Sequence, residues 1–217
     1  MIDRLLLQGF ELSDKTAAVI GCGGLGCHVA THLACAGIGR LLLCDFDTVS
    51  ETNLNRQFLY TAADLGKEKV FLAKERLRAT APGTEISAFS KKIEAAEDLA
   101  FAGGADILFA AVDNNAARAA LEAFSAMQST PLVNGGVNGF FGTAYLYLPG
   151  KTPGPAAAGL LTAENRRTLS VSSTVGLIGA LEAHLGIRCL LGDSTAAGKL
   201  HVFDGGEVHI LPLKQTQ

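Results

Sequence analysis

The sequence predicts an α/β protein with a Rossmann-like, open, mostly parallel sheet, helices on both faces and a C-terminal antiparallel extension. Short apolar segments alternate with helix-like segments between residues 16 and 134, which is the spacing of parallel βαβ units. The first apolar segment ends in a glycine-rich turn that opens a helix. The last two apolar segments, 200–203 and 208–211, are separated by four turn residues and predict a closing hairpin.

The individual elements follow from apolar spacing and from the residues that end helices and strands. Leu25, Val29 and Leu33 recur at helical spacing, and Gly37 closes that helix. Pro82 ends the next one. The predicted helices are 2–10, 25–36, 67–79, 97–102, 116–127 and 171–191, and the predicted strands are 16–20, 41–44, 85–91, 106–112, 131–134, 141–148, 200–203 and 208–211.

We expect residues 1–217 to form one nucleotide-binding domain. A chain of 217 residues is long enough to bury one good-sized core. Residues 149–168 differ in character, because three prolines and two glycines precede a run of alanines. This composition predicts a mobile crossing loop within the domain instead of a linker between domains.

Composition and charge exclude several classes of protein. The net charge is only −3 and there is no basic run, so no nucleic-acid surface is expected. No apolar stretch reaches the roughly 18 residues of a membrane-spanning helix, and the N-terminus lacks a charged-then-apolar signal segment. We therefore expect a cytoplasmic protein that binds neither nucleic acid nor membrane.

The cysteines and histidines give little support for a metal site. Five cysteines are present without a C-x-x-C pair, so neither a disulfide framework nor a zinc site is expected. Four of them lie in the glycine turn, the next helix and the second strand, where buried packing is favoured over a redox role. His28 and His32 have the spacing of a metal pair but no acidic ligand nearby, which favours packing or surface positions.

A glycine motif follows the first predicted strand. Gly21, Gly23 and Gly26 match G-x-G-x-x-G, a pattern that lets the backbone approach phosphates at a helix N-terminus. Asp45 ends the second strand about 20 residues further on, where a carboxylate accepts hydrogen bonds from ribose hydroxyls. These residues alone fit NAD, FAD or ATP, and a tight turn without ligand is the remaining alternative.

Two positively charged residues further along the chain help to decide which nucleotide the glycine motif binds. Arg56 and Lys69 can place a bidentate guanidinium and a point charge on a polyphosphate, which favours ATP over a hydride-transfer cofactor. Residues 61–64 can cap the helix that begins near Lys69, which places this lysine in its first turn. Exposed surface positions are the alternative for each cation alone. Asp47 is interpreted as a solvated loop acid, with a metal site as the alternative.

Asp113 ends an apolar strand at the edge where open α/β sheets bind ligands. Its carboxylate can hold Mg²⁺ against phosphates. It also precedes a predicted helix, so a helix N-cap is an equally good interpretation. The two roles are compatible.

The chain resembles the ThiF/MoeB/HesA family, the bacterial relatives of ubiquitin-activating enzymes. The resemblance covers most of the chain, and the Asn-x-x-Arg…Lys constellation is far more specific than the glycines. The matching stretches are Gly-Cys-Gly-Gly-Leu-Gly, Leu-Ala-Cys-Ala-Gly-Ile-Gly, Asp-Phe-Asp-Thr-Val, Asn-Leu-Asn-Arg-Gln, Asp-Leu-Gly with a lysine beyond it, Val-Asp-Asn at 112–114, Pro-Leu-Val at 131–133 and the late helix at 176–191.

This resemblance implies an enzyme that uses ATP and Mg²⁺ to adenylate the C-terminal Gly-Gly carboxylate of a ubiquitin-like sulfur carrier protein. It implies that Asp45 contacts the ribose, that Asn53, Arg56 and Lys69 contact the phosphates, and that Asp113 meets the metal. It further implies a homodimer in which an N-terminal arginine, here Arg4, reaches the neighbouring subunit's site. The expected nucleotide-binding set is Gly21, Gly23, Gly24, Gly26, Asp45, Asn53, Arg56, Gln57 and Lys69, with Arg56, Lys69 and Asp113 acting in catalysis.

The chain departs from that family in two places. Related enzymes often carry two C-x-x-C pairs for structural zinc, and this chain has none. Many also have a cysteine just before the late helix, but residues 168–174 read Thr-Leu-Ser-Val-Ser-Ser-Thr. The sequence therefore predicts adenylation, with sulfur supplied by another protein.

Three other functions stay open on the sequence alone. The first is a relative that activates a different carboxylate, of the tRNA threonylcarbamoyladenosine dehydratase type. The second is an NAD-dependent oxidoreductase, which would leave Arg56, Lys69 and Asp113 without a role. The third is a non-catalytic nucleotide-binding scaffold, which the missing cysteines favour.

Overall fold

A computed structural model describes residues 11–161 and 170–213. The described part contains four α-helices and eight strands. The helices are α1 (Gly24–Cys35), α2 (Lys69–Thr80), α3 (Asn115–Gln128) and α4 (Ser172–Leu190). The strands are β1 (Thr16–Ile20), β2 (Arg40–Cys44), β3 (Glu85–Phe89), β4 (Ile107–Ala110), β5 (Leu132–Asn138), β6 (Phe141–Tyr147), β7 (Lys199–Phe203) and β8 (Val208–Pro212).

The strands form one mixed sheet in the order β3-β2-β1-β4-β5-β6-β7-β8. The first five strands pair in parallel, and β6, β7 and β8 continue the sheet with antiparallel pairing. The predicted fold class is therefore confirmed, including the C-terminal antiparallel extension. The carboxyl ends of β1, β2 and β4 lie side by side at one edge, which is where such sheets bind ligands.

Helices cover both faces of the sheet. Apolar side chains of α1, α2 and α4 share one core cluster with Val19, Leu43 and Val133. The other face packs against α3 and a 3₁₀ helix at Ala96–Ala102, through residues such as Leu108 and Leu132. Alternate residues of the central strands thus enter opposite cores, as the two-residue period of a strand requires.

Small residues let α4 lie close to its neighbours. A side chain at Gly179 would place its Cβ 2.6 Å from Cβ of His28 on α1, and one at Gly186 would lie 2.3 Å from the ring of Phe109 on β4. His28 itself fills this helix contact and meets the ring of Phe58 edge-on, with centroids 4.9 Å apart. Its packing position agrees with the sequence interpretation.

Three local predictions were wrong. Thr61 caps a 3₁₀ turn at Ala62–Asp64, not α2, which has Glu68 at its N-cap and no capping side chain. Strand β5 extends to Asn138, because its two glycines pair with β6 instead of ending the strand. Cys35 is exposed, whereas Cys22, Cys27 and Cys44 are buried as expected.

The described part of the predicted crossing loop, 149–161, is tied to the body of the protein. The Tyr145 hydroxyl donates to the carbonyl of Pro153 at 2.7 Å, and the Ala156 amide donates to Glu122 at 2.8 Å. Residues 162–168 of that loop, the predicted helix at 2–10 and Arg4 lie outside the described residues. In the described part, none of the helices combines the length and the apolar character needed to cross a membrane.

Candidate nucleotide site

The glycine turn between β1 and α1 is sterically restricted at two of its glycines. Gly21 has a φ of +97°, and a Cβ on it would lie 2.3 Å from the Ala111 carbonyl oxygen. A Cβ on Gly26 would lie 1.8 Å from the Gly21 carbonyl oxygen. Gly23 is different, because its Cβ would meet only the Gln57 amide nitrogen, at 3.6 Å. The space beside Gly23, at the uncapped N-terminus of α1, is open to a phosphate group.

Hydrogen bonds to its backbone amide and to its backbone carbonyl hold Cys22 in this turn. Its amide donates to Asp45 Oδ2 at 2.6 Å, and its carbonyl accepts from the Tyr60 hydroxyl at 2.7 Å. Asp45 Oδ1 accepts from the Asp47 amide at 2.8 Å. Burial raises the pKa of Asp45, while these two amides and Lys69 oppose the shift. Each carboxylate oxygen keeps a further lone pair for a ligand hydroxyl.

Arg56 and Gln57 lie against the glycine turn. The Arg56 Cγ and Cδ atoms are 3.6 Å from where a Cβ on Gly24 would be. Its Nη1 donates to the Thr52 carbonyl at 2.8 Å and to Asn55 Oδ1 at 2.9 Å. Gln57 is buried, and its Oε1 has no hydrogen-bond partner in the described part of the chain. The Gln57 amide nitrogen, 3.6 Å from where a Cβ on Gly23 would be, is the atom of this side chain that faces the glycine turn.

Asn53 forms hydrogen bonds to nearby backbone amides in this structure. Its Oδ1 accepts from the Ser50 amide at 3.1 Å, within a 3₁₀ turn at Glu51–Asn53. The Asn53 carbonyl in turn accepts from the amides of Arg56 and Gln57, both at 3.1 Å. Asn53 therefore orders the backbone from which the Arg56 and Gln57 side chains extend.

Lys69 and Asp47 form a half-buried ion pair. Lys69 is the first residue of α2, so its predicted place in the first turn is confirmed. Its Nζ lies 3.0 Å from Asp47 Oδ2, and the two side chains are 5% and 51% exposed. Asp47 is thus neither an isolated solvated acid nor, in the described part, a member of any group of three or more His, Cys, Asp and Glu residues able to hold a metal.

Asp113 follows β4 and is exposed. The N-cap of α3 is Asn114, whose Oδ1 accepts from the Ala117 amide at 2.8 Å. The interpretation of Asp113 as the N-cap is therefore wrong by one residue. Ala111 abuts Gly21, so the end of β4 brings the Asp113 backbone next to the glycine turn with its carboxylate unused for capping.

Sequence reasoning missed two charged residues behind this loop. Arg118 on α3 is 5% exposed and Glu182 on α4 is fully buried. Arg118 donates from Nη2 to the carbonyls of Val112, at 2.6 Å, and Gly135, at 2.9 Å, and from Nη1 to the Asn134 side chain. Glu182 is the only carboxylate between residues 171 and 191, and a single carboxylate in a largely apolar helix was the available signal.

Two shallow surface depressions, of about 410 and 480 Å³, lie elsewhere. They share Lys74 and Arg78 on the outer side of α2. Neither contains a residue of the predicted nucleotide set. The one buried polar side chain among their lining residues, Thr84, already donates its hydroxyl to the Ile38 carbonyl.

The fold defines a Rossmann-type protein whose glycine turn lies beside an arginine from the 52–57 segment. The chain belongs to the ThiF family: the model described as "ThiF family" matches residues 9–217. Such extensive coverage includes every residue of the predicted site.

Curated relatives and solved structures agree with this membership. The chain is 34% identical over 215 residues to the sulfur carrier protein ThiS adenylyltransferase of Escherichia coli K12, covering 94% of this chain and 84% of that protein. It is 34% identical over 214 residues to the molybdopterin-synthase adenylyltransferase of the same organism, covering 93% and 86%. A crystal structure of E. coli MccB with ATP matches with a TM-score of 0.85 at 24% identity, covering 97% of this chain and 67% of that one, and so shares the fold.

Proposed function

We propose that this protein adenylates the C-terminal Gly-Gly carboxylate of a ubiquitin-like sulfur carrier, converting ATP to an acyl-adenylate and pyrophosphate. Two related enzymes are named as adenylyltransferases for a sulfur carrier and for molybdopterin synthase. The observation that carries the proposal is the placement of Arg56 against Gly24 at the N-terminus of α1, with the Gln57 amide nitrogen beside Gly23. A cation at this position has a role in anhydride cleavage and none in hydride transfer.

The chain's own groups divide the binding of ATP between them. The free amides at the start of α1 and the open space beside Gly23 receive phosphate oxygens. Asp45 offers its remaining lone pairs to the ribose hydroxyls. Arg56 and Lys69 place positive charge on the phosphates, and Asp47 holds Lys69 at the edge of the site.

The reaction needs charge neutralisation more than proton transfer. A peptide C-terminal carboxylate has a pKa of about 3.5 and is ionised at neutral pH, so no general base has to activate it. The barrier lies in bringing this anion to the α-phosphate while pyrophosphate leaves. Fixed cations and aligned amides lower that barrier because the negative charge grows where they already point.

Asp113 is the chain's candidate ligand for Mg²⁺. A protein commonly binds this ion through one or two carboxylates together with substrate phosphates, and the exposed Asp113 at the end of β4 fits that arrangement. When bound, the metal neutralises phosphate charge. The role of Asp113 is to hold the ion beside the glycine turn.

Several further expectations belong to this proposal. The protein acts in the cytoplasm as a single adenylation domain, without nucleic acid or membrane as a partner. It forms a homodimer in which Arg4 of one subunit reaches the other's ATP, and the loop at 149–168 covers the acyl-adenylate and excludes water. Sulfur comes from another protein, since residues 168–174, directly before and at the start of α4, contain no cysteine.

ATP–pyrophosphate exchange tests the proposed function. The protein is assayed alone, with a carrier ending in Gly-Gly, and with the same carrier lacking its last glycine. Exchange that requires the intact tail supports the proposal. Exchange with a tRNA-borne threonylcarbamoyl group instead favours the dehydratase type, an NAD-dependent absorbance change favours an oxidoreductase, and binding without turnover favours a scaffold.

A further inference from the structure

The turn that carries Asp113 is held from behind by one buried guanidinium. Arg118 reaches from α3 to the point where β4 and β5 stop pairing, beyond Ala110 and Asn134. Its two hydrogen bonds to the carbonyls of Val112 and Gly135 join the ends of these strands where their own ladder has ended. Because the Val112 carbonyl belongs to the peptide bond that begins Asp113, this contact acts directly on the Asp113 backbone.

Glu182 approaches the same point from the opposite face of the sheet. Val133, and therefore Gly135, faces the core formed with α1, whereas Leu132 and Asn134 face α3. A Cβ on Gly135 would lie 2.3 Å from Glu182 Cδ, so the missing side chain makes room for the carboxyl group. The two carboxyl oxygens have no hydrogen-bond partner in the described part.

Arg118 and Glu182 each affect the other's pKa across the sheet. Burial lowers the pKa of Arg118, while Glu182 and Asp113 oppose that shift. Burial raises the pKa of Glu182 to about 8, and Arg118 opposes that shift. At neutral pH Glu182 therefore lies behind Arg118 as a mostly protonated carboxyl group, without a hydrogen bond to it.

We propose that Arg118, with Glu182 behind it on the other face of the sheet, is a positioning residue that holds the Val112–Asp113 turn and so sets how Asp113 meets the metal-bound nucleotide. This inference rests on the proposed function. Arg118 acts through Asp113 and does not touch the nucleotide. Groups that support a metal ligand in this way change metal affinity or activity by about 10–100-fold when they are lost.

Calorimetric titration with ATP, in the presence and absence of Mg²⁺, tests the inference on the full chain. In Arg118→Met, the dissociation constant for Mg·ATP is expected to rise about 10–100-fold, with a smaller change for metal-free ATP. Gly135→Ala, which displaces the Glu182 carboxyl group, is expected to change binding in the same direction. Arg188→Met is the matched control, because Arg188 pairs with Asp193 at 2.5 Å at the far end of α4.

The outcomes are distinguishable. A selective loss of Mg·ATP binding in Arg118→Met, with Arg188→Met unchanged, supports the inference. A folded Arg118→Met protein with the wild-type constant, or with equal losses with and without Mg²⁺, overturns it. If that variant does not fold, Arg118→Lys carries the test, since lysine keeps the charge but cannot span both carbonyls, and a wild-type constant there also overturns it. A wild-type protein that binds no Mg·ATP contradicts the proposed function itself.

Discussion

At the scale of single residues, the two cations of the proposed site are held by different means. Arg56 is anchored by its own loop, through Thr52 and Asn55, whereas Lys69 is anchored by the carboxylate of Asp47. Because the two supports are separate, we expect the losses of Arg56 and of Lys69 to be measurable separately.

Replacing either cation by alanine should lower carrier-dependent pyrophosphate exchange by about 10²–10³-fold, the usual effect of losing one electrostatic donor to a transition state. Arg56→Lys should recover only part of the rate, because lysine lacks the bidentate geometry. Arg40→Ala is the control, since Arg40 forms an exposed pair with Glu85 at 3.3 Å that adds little to stability. Equal rates for Arg56→Ala and Arg40→Ala would contradict the assignment.

The raised pKa of Glu182 predicts how the free energy of unfolding depends on pH. Burial raises its pKa to about 8, with Arg118 opposing, from a usual value of 4.5. Between these values the unfolded chain has lost the proton that the folded protein keeps, so the free energy of unfolding falls as pH rises. Glu182→Gln removes this pH-dependent loss of stability, because glutamine does not titrate. The urea midpoint of the variant should therefore exceed the wild-type midpoint by an amount that grows from pH 5 to pH 8. Glu75→Gln, on the exposed side of α2, should show no such trend.

The sequence predicted where the glycine turn and Asp45 lie in the fold better than it predicted the contacts around them. Gly21, Gly26 and Asp45 follow from local spacing, because a strand, a turn and a helix fix their relation. The N-cap role of Asp113 was wrong because Asp113 and Asn114 are both good caps and only the backbone path decides between them. Arg118 was missed because its partners lie on β5 and in the turn after β4, and no local pattern records such contacts.

At the scale of elements, one salt bridge joins the segment that carries Arg56 to the helix that carries Lys69. Arg76 on α2 donates to the Leu59 carbonyl and to Asp64 Oδ2 at 2.5 Å. Asp64 also accepts from the amide and the hydroxyl of Thr61, both at 2.8 Å. Arg76, followed by these hydrogen bonds, lowers the pKa of Asp64. The carboxylate is thus ionised and links both segments.

Arg76→Ala should therefore affect activity although Arg76 is remote from the phosphates. We expect a lower melting temperature, at about 2–4 °C for each kcal/mol lost in a chain of this size, and a raised KM for ATP, because the Arg56 loop and α2 no longer share an anchor. Arg78→Ala makes the same change in helix propensity at an exposed position of α2. A KM for ATP that is equal in the two variants would contradict the coupling.

Element boundaries were predicted closely where the periodicity was strong. Strand 16–20 matched fully, and the helices predicted at 25–36 and 116–127 were each correct to within one residue at either end. Strand β5 was predicted too short because Gly135 and Gly136 look like a turn in sequence. Their strand pairing comes from β6, and Gly135 is small because Glu182 occupies the space beside it.

At the scale of the whole molecule, the parts of the site come from four segments that only the fold brings together. They are the β1–α1 turn, the end of β2, the 52–69 segment and the end of β4. Tyr60 ties the third of these to the first, and Ala111 ties the fourth to the first. The sequence predicted this convergence because carboxyl ends of parallel strands share one edge, but it did not predict the buried contacts that hold them.

A ligand that contacts all four segments stabilises the folded chain as a whole, since the unfolded chain has no such site. At 100 times its dissociation constant, Mg·ATP should add about 2.7 kcal/mol to the free energy of unfolding, or about 5–10 °C in melting temperature for a domain of this size. NAD at the same concentration should give no comparable shift, because it cannot engage Arg56, Lys69 and Asp113 together. Thermal denaturation of the wild type and of Arg56→Ala, each with Mg·ATP and with NAD, measures this. The assignment would be contradicted by equal shifts in melting temperature with the two nucleotides, or by an undiminished Mg·ATP shift in Arg56→Ala. Either result would mean that the glycine turn binds nucleotides without help from the cations and that the site does not select a triphosphate.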